Sequence, residues 1–351
     1  MVGNSILNKS KHARDNDEFY TTYETIEEEL AHYQTKFKNK CVLCNCDDPF
    51  ESNFTKYFIK NFHKLGLKRL VCTSYKYSKV LASTSLLTDE NDQPLDKKNG
   101  YVLLIDKIPK NVDLTGNNIH DFIANKKLVR KLKGDGDFRS EECVKYLKQS
   151  DIIVTNPPFS LFRDWISLVI ENRKQFLVIG NQNAITYKEI FPLIQKNQVW
   201  IGYHSGDMSF RVPADSKAKN TRYWEDETGQ KWRSLGNAMW LTNMDINKRH
   251  KKIELKSNYD PHIYPHYDKY DAIEVSRVSQ IPMDFEGVMG VPITFLNKYN
   301  PEQFEIIGEA NHGSDSSLDL FKPTVNGELK YKRILIRNKK YVLGEKKDGQ
   351  I

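Results

Sequence analysis

Along residues 41–203, short apolar runs alternate with segments of helical period, and one of those runs stops at two consecutive prolines. Residues 41–46, 67–73, 101–105, 151–155, 175–180 and 199–203 read as strands, each too short and too apolar for a surface helix. Between them, 50–65, 140–149, 161–171 and 187–196 carry apolar residues at helical spacing, and Gly66 suits the C-cap of the first. An acidic surface helix over 24–34 precedes the set. This alternation predicts an α/β fold, with a mostly parallel sheet and helices on both faces. Ligands of such sheets bind beyond the carboxyl ends of the strands. That rule singles out Asp47, Asp48 and Pro49 after the first strand, and whatever follows Thr155.

With 351 residues, 39% hydrophobic and 11% aromatic, the chain has ample core material for one large domain with an elaboration or for two modest ones. No stretch approaches the ~18 apolar residues of a membrane span, and residues 1–16 hold no apolar signal-like run. The odd count of five cysteines suits reduced thiols, so a cytoplasmic protein with no membrane partner is expected. The net charge of +7 is concentrated. Between Lys330 and Lys347 stand eight basic residues and one acid, so that segment carries the whole excess. Smaller clusters lie at Lys126, Lys127, Arg130, Lys131 and Lys133, and at Lys248, Arg249, Lys251 and Lys252. Such clusters either neutralise nucleic-acid phosphates or are solvated surface.

Directly after Thr155 come Asn156, Pro157, Pro158 and Phe159. Two prolines fix φ and remove two backbone donors, leaving carbonyls that accept. Asn156 can present a side-chain acceptor beside the Pro157 carbonyl. Two acceptors held close together can seat an exocyclic amino group and turn its lone pair toward an electrophile. Phe159 offers a flat face for a stacked base. This arrangement suits methylation of adenine at N6, although the same residues also make a rigid strand-to-helix turn.

The segment 134–139 (GDGDFR) is a second candidate. Its glycines permit close backbone approach, Asp137 can accept from an adenine amino group, and Phe138 can flank the ring; the bland alternative is a turn. The third is Asn45 to Pro49, where Asp47 or Asp48 can meet a cofactor's amino or hydroxyl groups, or merely cap the following helix. Cys41, Cys44 and Cys46 alternate across strand faces and lack a fourth ligand, so they read as buried thiols and no metal is expected.

Five blocks in order resemble the EcoRI-type adenine-specific DNA methyltransferases, the modification partners of restriction endonucleases. They are residues 17–21 (DEFYT), 44–49 (CNCDDP), 134–140 (GDGDFRS), 151–163 (DIIVTNPPFSLFR) and 287–304 (GVMGVPITFLNKYNPEQF). The resemblance spans about residues 17–338. It implies a Rossmann-like class I fold, S-adenosylmethionine as methyl donor and double-stranded DNA with a short specific site as partner. It further implies that Asn156 to Phe159 are the catalytic motif, and that Phe19, Tyr20 and Thr21 close over the methionine moiety. Asn45, Asp47, Asp48 and Pro49 take the place of the first cofactor motif, without the glycine-bearing F-x-G-x-G form. Asp137 and Phe138 take that of the adenine pocket.

The expected division is a catalytic domain over 1–203 and a target-recognition region over 204–351, with returns into the catalytic sheet. A monomer is expected, although no sequence feature specifies the assembly. The expected reaction flips the adenine out of the duplex, because N6 is unreachable within it. The rival readings are methylation of RNA or of a protein glutamine, and a catalytically inactive protein that occupies DNA.

Overall fold

Runs such as Val42–Leu43 and Ile152–Val154 have no polar face, so they can be strands only where both faces are covered. A computed structural model describes residues 20–76, 98–114, 118–125, 128–212, 222–311 and 319–342. Phe19, Lys126, Lys127, Lys346 and Lys347 lie outside these described residues. The large sheet is built from β1 (Tyr20–Thr21), β2 (Cys41–Asn45), β3 (Arg69–Ser74), β4 (Tyr101–Ile105), β5 (Val129–Lys131), β6 (Ile152–Thr155), β7 (Gln175–Asn181), β8 (Trp200–Arg211), β9 (Tyr223–Glu225) and β10 (Lys231–Thr242). Its order is β1-β8-β10-β7-β6-β2-β3-β4-β5, with β9 paired to β10. The core β3-β2-β6-β7 is parallel. Antiparallel strands extend it at both edges, β4 and β5 on one side and β10 on the other.

The helices start where small polar residues satisfy the first free N–H groups. In α1 (Tyr23–Leu30) the Thr22 hydroxyl accepts from the Thr25 amide at 3.1 Å, in α2 (Asn53–Lys60) Ser52 accepts from Phe54, and further on come α3 (Asn118–Asn125), α4 (Glu141–Gln149), capped by Ser140, and α5 (Phe162–Glu171). The helix expected over 50–65 is shorter and interrupted. Asp48 draws residues 47–51 into a turn, and the Asn61 amide bonds back to the Tyr57 carbonyl at 3.0 Å, ending α2 before a single turn, Phe62–Leu65, closed by Gly66 at φ +62. The helix expected over 187–196 contracts to α6 (Phe191–Gln195), because Pro192 has no N–H and is tolerated only in a first turn.

The largest departure lies beyond Tyr203, where the strand expected over 199–203 ends. There β8 runs on to Arg211, with Met208 and Phe210 buried and Asp207 and Ser209 exposed, and β10 begins at Lys231. A period of two with polar outward residues conceals these strands in average composition.

The chain divides into two units, one of residues 1–182 and 204–244, the other of residues 183–203 and 245–351. Residues 204–244 thus return into the large sheet, and 183–203 group with the later part of the chain. The second unit contains β11 (His266–Tyr267), β12 (Tyr270–Glu274), β13 (Val288–Pro292), β14 (Phe304–Ala310), β15 (Asp319–Phe321), β16 (Thr324–Val325), β17 (Glu328–Leu329) and β18 (Arg333–Asn338). Its six-stranded sheet runs β11-β12-β13-β18-β14-β15, and β16 and β17 form a separate ribbon. That ribbon turns at Asn326 and Gly327, both with positive φ, which suits a tight hairpin.

Candidate active site

The order β3-β2-β6-β7 places a topological switch between β2 and β6, since the chain moves from β2 to one side and from β6 to the other. The carboxyl ends of these two strands carry Asn45 with Asp47 and Thr155 with Asn156. Asn45 is 2% exposed and Asp47 6%, so their polar atoms need partners. The Asn45 Oδ1 accepts from the Trp165 indole N–H at 3.1 Å. Asp47 Oδ1 accepts from the Ser52 hydroxyl at 2.7 Å, and Oδ2 lies 2.5 Å from the Thr155 hydroxyl. Thr155 also bonds to the Asn45 carbonyl.

A threonine hydroxyl has one proton, and two acceptors compete for it. A protonated Asp47 resolves the conflict by donating to Thr155, which then donates to the Asn45 carbonyl. Burial, reinforced by the neighbouring Asp48, pushes the Asp47 carboxyl up to about 7, against the lowering effect of the two hydroxyls. Between the ordinary carboxylate range and about pH 7 the folded chain therefore holds a proton that the unfolded chain has lost, so stability falls as pH rises through this window. Asp47→Asn mimics the neutral acid. Relative to that variant, the parent protein should lose stability from pH 4 to 7 by up to about 1.4 kcal/mol per pH unit, the ceiling for one proton. Parallel urea titrations of both proteins at several pH values measure this; a constant difference would refute it.

Asp48 Oδ1 accepts from the amides of Phe50 and Glu51 at 2.8 and 3.0 Å, which is the capping alternative, and Pro49 is buried. Of the segment 19–21, Tyr20 pairs with Arg211 across β1 and β8, and that guanidinium lies 5.7 Å from its ring centre. Thr21 is buried; its carbonyl accepts from Asn53 Nδ2 at 2.7 Å and its hydroxyl oxygen from Asn156 Nδ2 at 3.3 Å. Residues 135 positions apart thus meet at the end of β6. With its nitrogen facing Thr21, the Asn156 amide turns its acceptor oxygen the other way. Pro157 is buried, Pro158 and Phe159 are half-buried, and the Pro158 carbonyl accepts from Leu161 at 3.0 Å in the tight turn entering α5.

Asp137 and Phe138 reach the same edge less directly. Cys46 follows β2 in a left-handed conformation (φ +71), and Asp47, Cys143 and Asp137 all add to the effect of burial in raising its thiol well above the ordinary range. Asp137 thus stands within electrostatic reach of the end of β2. Both its oxygens are gripped by Arg139, whose Nε and Nη2 donate at 2.9 and 2.7 Å while Nη1 reaches Asp164 at 2.8 Å. Phe138 is buried, with the Arg139 guanidinium 5.3 Å from its ring centre.

Gly136 serves the chain's own packing, whereas a Cβ on Gly134 would meet nothing within 4 Å among the described residues. A Cβ on Gly136, at φ +78, would lie 2.0 Å from the Ser74 carbonyl oxygen and 3.0 Å from Gly100 Cα. Gly136→Ala should destabilise the first unit by more than the ~1–2 kcal/mol of left-handed backbone strain alone, because the collision is with backbone. A melting curve indistinguishable from that of the parent protein would contradict this.

Sequence reasoning missed Thr155, Ser52, Trp165 and Arg139 as members of the site. A polar residue ending an apolar strand was the one available signal, and it applied only to Thr155. Thr73 Oγ1 and Ser74 Oγ, buried at the carboxyl end of β3, have no hydrogen-bond partner among the described residues. Among the described residues no cluster of His, Cys, Asp and Glu fit to hold a metal occurs, and no helix is long and apolar enough to cross a membrane.

The family described as adenine-specific methyltransferase EcoRI matches residues 6–339. The Type II methyltransferase M.EcoRI of Escherichia coli is 44% identical over 342 residues, covering 96% of this chain and 97% of that protein. The Type II methyltransferases M.MpnI of Mycoplasma pneumoniae and M.MgeORF184P of Mycoplasma genitalium are 37% and 36% identical. They cover 96% and 94% of this chain and 99% and 98% of their own lengths.

Proposed function

Since the chain belongs to the EcoRI adenine-specific methyltransferase family, we propose that residues 156–159 methylate N6 of an adenine flipped from a short duplex DNA site, as the modification half of a restriction-modification system. Family membership carries with it the Rossmann-like methyltransferase fold and the identity of the chain as an adenine-specific DNA methyltransferase. Methyltransferases in general use S-adenosylmethionine, whose sulfonium, when bound, supplies an electrophilic methyl carbon.

The residues present fit such a donor. The Thr73 and Ser74 hydroxyls, buried at the end of β3 and without a partner among the described residues, match a ligand rich in hydroxyl and amino groups. Asn45 and Asp137 stand beside the switch point where α/β sheets bind ligands. Thr21, on β1, borders the same edge through Asn156.

Asn156 Oδ1 and the Pro157 carbonyl accept from the two N6 protons and turn the nitrogen lone pair out of conjugation with the ring. Phe159 stacks on the flipped base. The proton leaves N6 for water after transfer, so the site needs no strong base. The contribution of the chain is orientation: a fixed amide, two prolines and the Asp47–Thr155 link that ties β6 to β2. The Asn156–Thr21 contact is the observation that supports this reading, because an amide whose nitrogen is spent on Thr21 offers its oxygen as the acceptor.

The test is transfer of labelled methyl from S-adenosylmethionine to unmethylated genomic DNA, followed by mapping of the product. N6-methyladenine confined to one short motif is the expected result. Donor binding without DNA methylation would overturn it and direct attention to RNA or a protein glutamine.

A further inference from the structure

β10 pairs with β7 only from Ala238 onward, opposite Asn181, so residues 231–237 project beyond the carboxyl end of the parallel core. The end of β8 accompanies them, with the Val212 amide on the Lys231 carbonyl at 3.0 Å, and β9 completes an arm. The arm curls. Three strands separate β1 from β6 in the sheet order, yet Thr21 touches Asn156, and Arg211 reaches Glu51 beside the turn after β2 at 3.3 Å. It therefore bridges the edge where the base must enter.

Within the arm lies a pocket of about 350 Å³ lined by Arg222, Arg233, Ser234, Leu235, Gly236 and Asn237. Asn237 Nδ2 donates to Asn181 Oδ1 at 3.0 Å. Asn181 is three residues past Val178, the partner of Thr155. The pocket thus lies on the order of 10–15 Å from Asn156, at ~3.3 Å per residue and ~4.8 Å per strand. Its cations are oriented. Arg222 Nη1 is 3.4 Å from both Asp207 and Ser234, and a Cβ on Gly236 would stand 2.7 Å from it, so the guanidinium lies flat on the glycine. Arg233 lies 5.2 Å from the Tyr223 ring centre. The hairpin tip (Glu225, Asp226, Glu227) is acidic and repels a polyanion, which confines attraction to the base of the arm.

Resting on the reading of the chain as a DNA methyltransferase, we propose that this pocket seats a backbone phosphate flanking the flipped adenine, held by Arg222 and Arg233. A guanidinium fork matches phosphate geometry, and a phosphate fixed near the target sets how far the base swings in. Neither arginine belongs to the clusters conspicuous in the sequence.

The test compares the parent protein with the Arg222→Ala/Arg233→Ala double variant. Anisotropy of a labelled random-sequence duplex is followed from 50 to 300 mM salt, alongside S-adenosylmethionine binding by calorimetry. Each phosphate contact contributes ~0.9 to the slope of log affinity against log salt, so the double variant should lose about 1–2 from it and bind DNA about tenfold more weakly at 0.1 M salt. Cofactor affinity should hold, showing an intact fold. The Arg222→Lys/Arg233→Lys variant should recover most of the slope, because charge rather than shape sets it. Gly236→Ala, which pushes the Arg222 guanidinium aside without removing charge, should weaken DNA binding severalfold. An unchanged slope in the double variant, with a parent protein that methylates DNA, overturns the phosphate seat alone; a parent protein that methylates no DNA overturns the reading beneath it.

Discussion

Replacing Asn156 with alanine should slow methyl transfer by at least about a hundredfold, the scale of removing one oriented hydrogen-bonding group from a transition state. The physical reason is specific. The lone pair of adenine N6 is delocalised into the ring, and it becomes nucleophilic only while acceptors hold its protons out of plane. Alanine removes one acceptor and also the Nδ2–Thr21 contact, which lies at 3.3 Å. DNA affinity should stay near that of the parent protein, because phosphate contacts rather than this amide supply most of it. Asn156→Asp keeps the acceptor and should fall less far. Single-turnover methyl transfer with saturating DNA measures both; parent-like rates in Asn156→Ala would sink the mechanism.

Glu274→Ala should cost the second unit about 3–5 kcal/mol, the scale of leaving a buried charge without its partner. Glu274 is 3% exposed and Arg333 9%. Arg333 Nε donates to both Glu274 oxygens at 3.0 and 2.9 Å, its Nη2 donates to Oε1, and the Tyr267 hydroxyl donates to Oε2. Burial and the adjacent carboxylate push the Tyr267 phenol far above its ordinary range, so that proton stays in place. Removing the carboxylate strands a guanidinium between β12 and β18. Glu274→Leu with Arg333→Met removes both charges and should be much less damaging, since an apolar pair avoids the desolvation penalty. Urea unfolding of the three proteins measures this; equal stability of Glu274→Ala and the parent would refute it.

Much of the first unit is written locally in the chain. Whether a segment is strand or helix depends on periodicity within about ten residues, so β2, β4, β6 and α4 stand close to where their patterns place them. The same locality put Asn156 to Phe159 at a strand end, because Thr155 closes an apolar run and proline cannot continue it. Where local signals compete, boundaries moved: Asp48 delays α2, Asn61 ends it, and Pro192 shortens α6. The polar strands of the arm escaped notice because their outward residues outnumber the buried Met208 and Phe210.

The sequence by itself determined the alternation of elements, the buried parallel core and which residues stand at the end of β6. Only the tertiary structure decided which strand ends face one another. Asp47 meets Thr155 across 108 residues, Asn156 meets Thr21, and Arg139 holds Asp137 to Asp164 on α5. The reason is physical. Periodicity is encoded between near neighbours, whereas strand order follows from how the whole chain buries its apolar surface, and a buried carboxylate finds its hydroxyl only after that burial has set the distance between them.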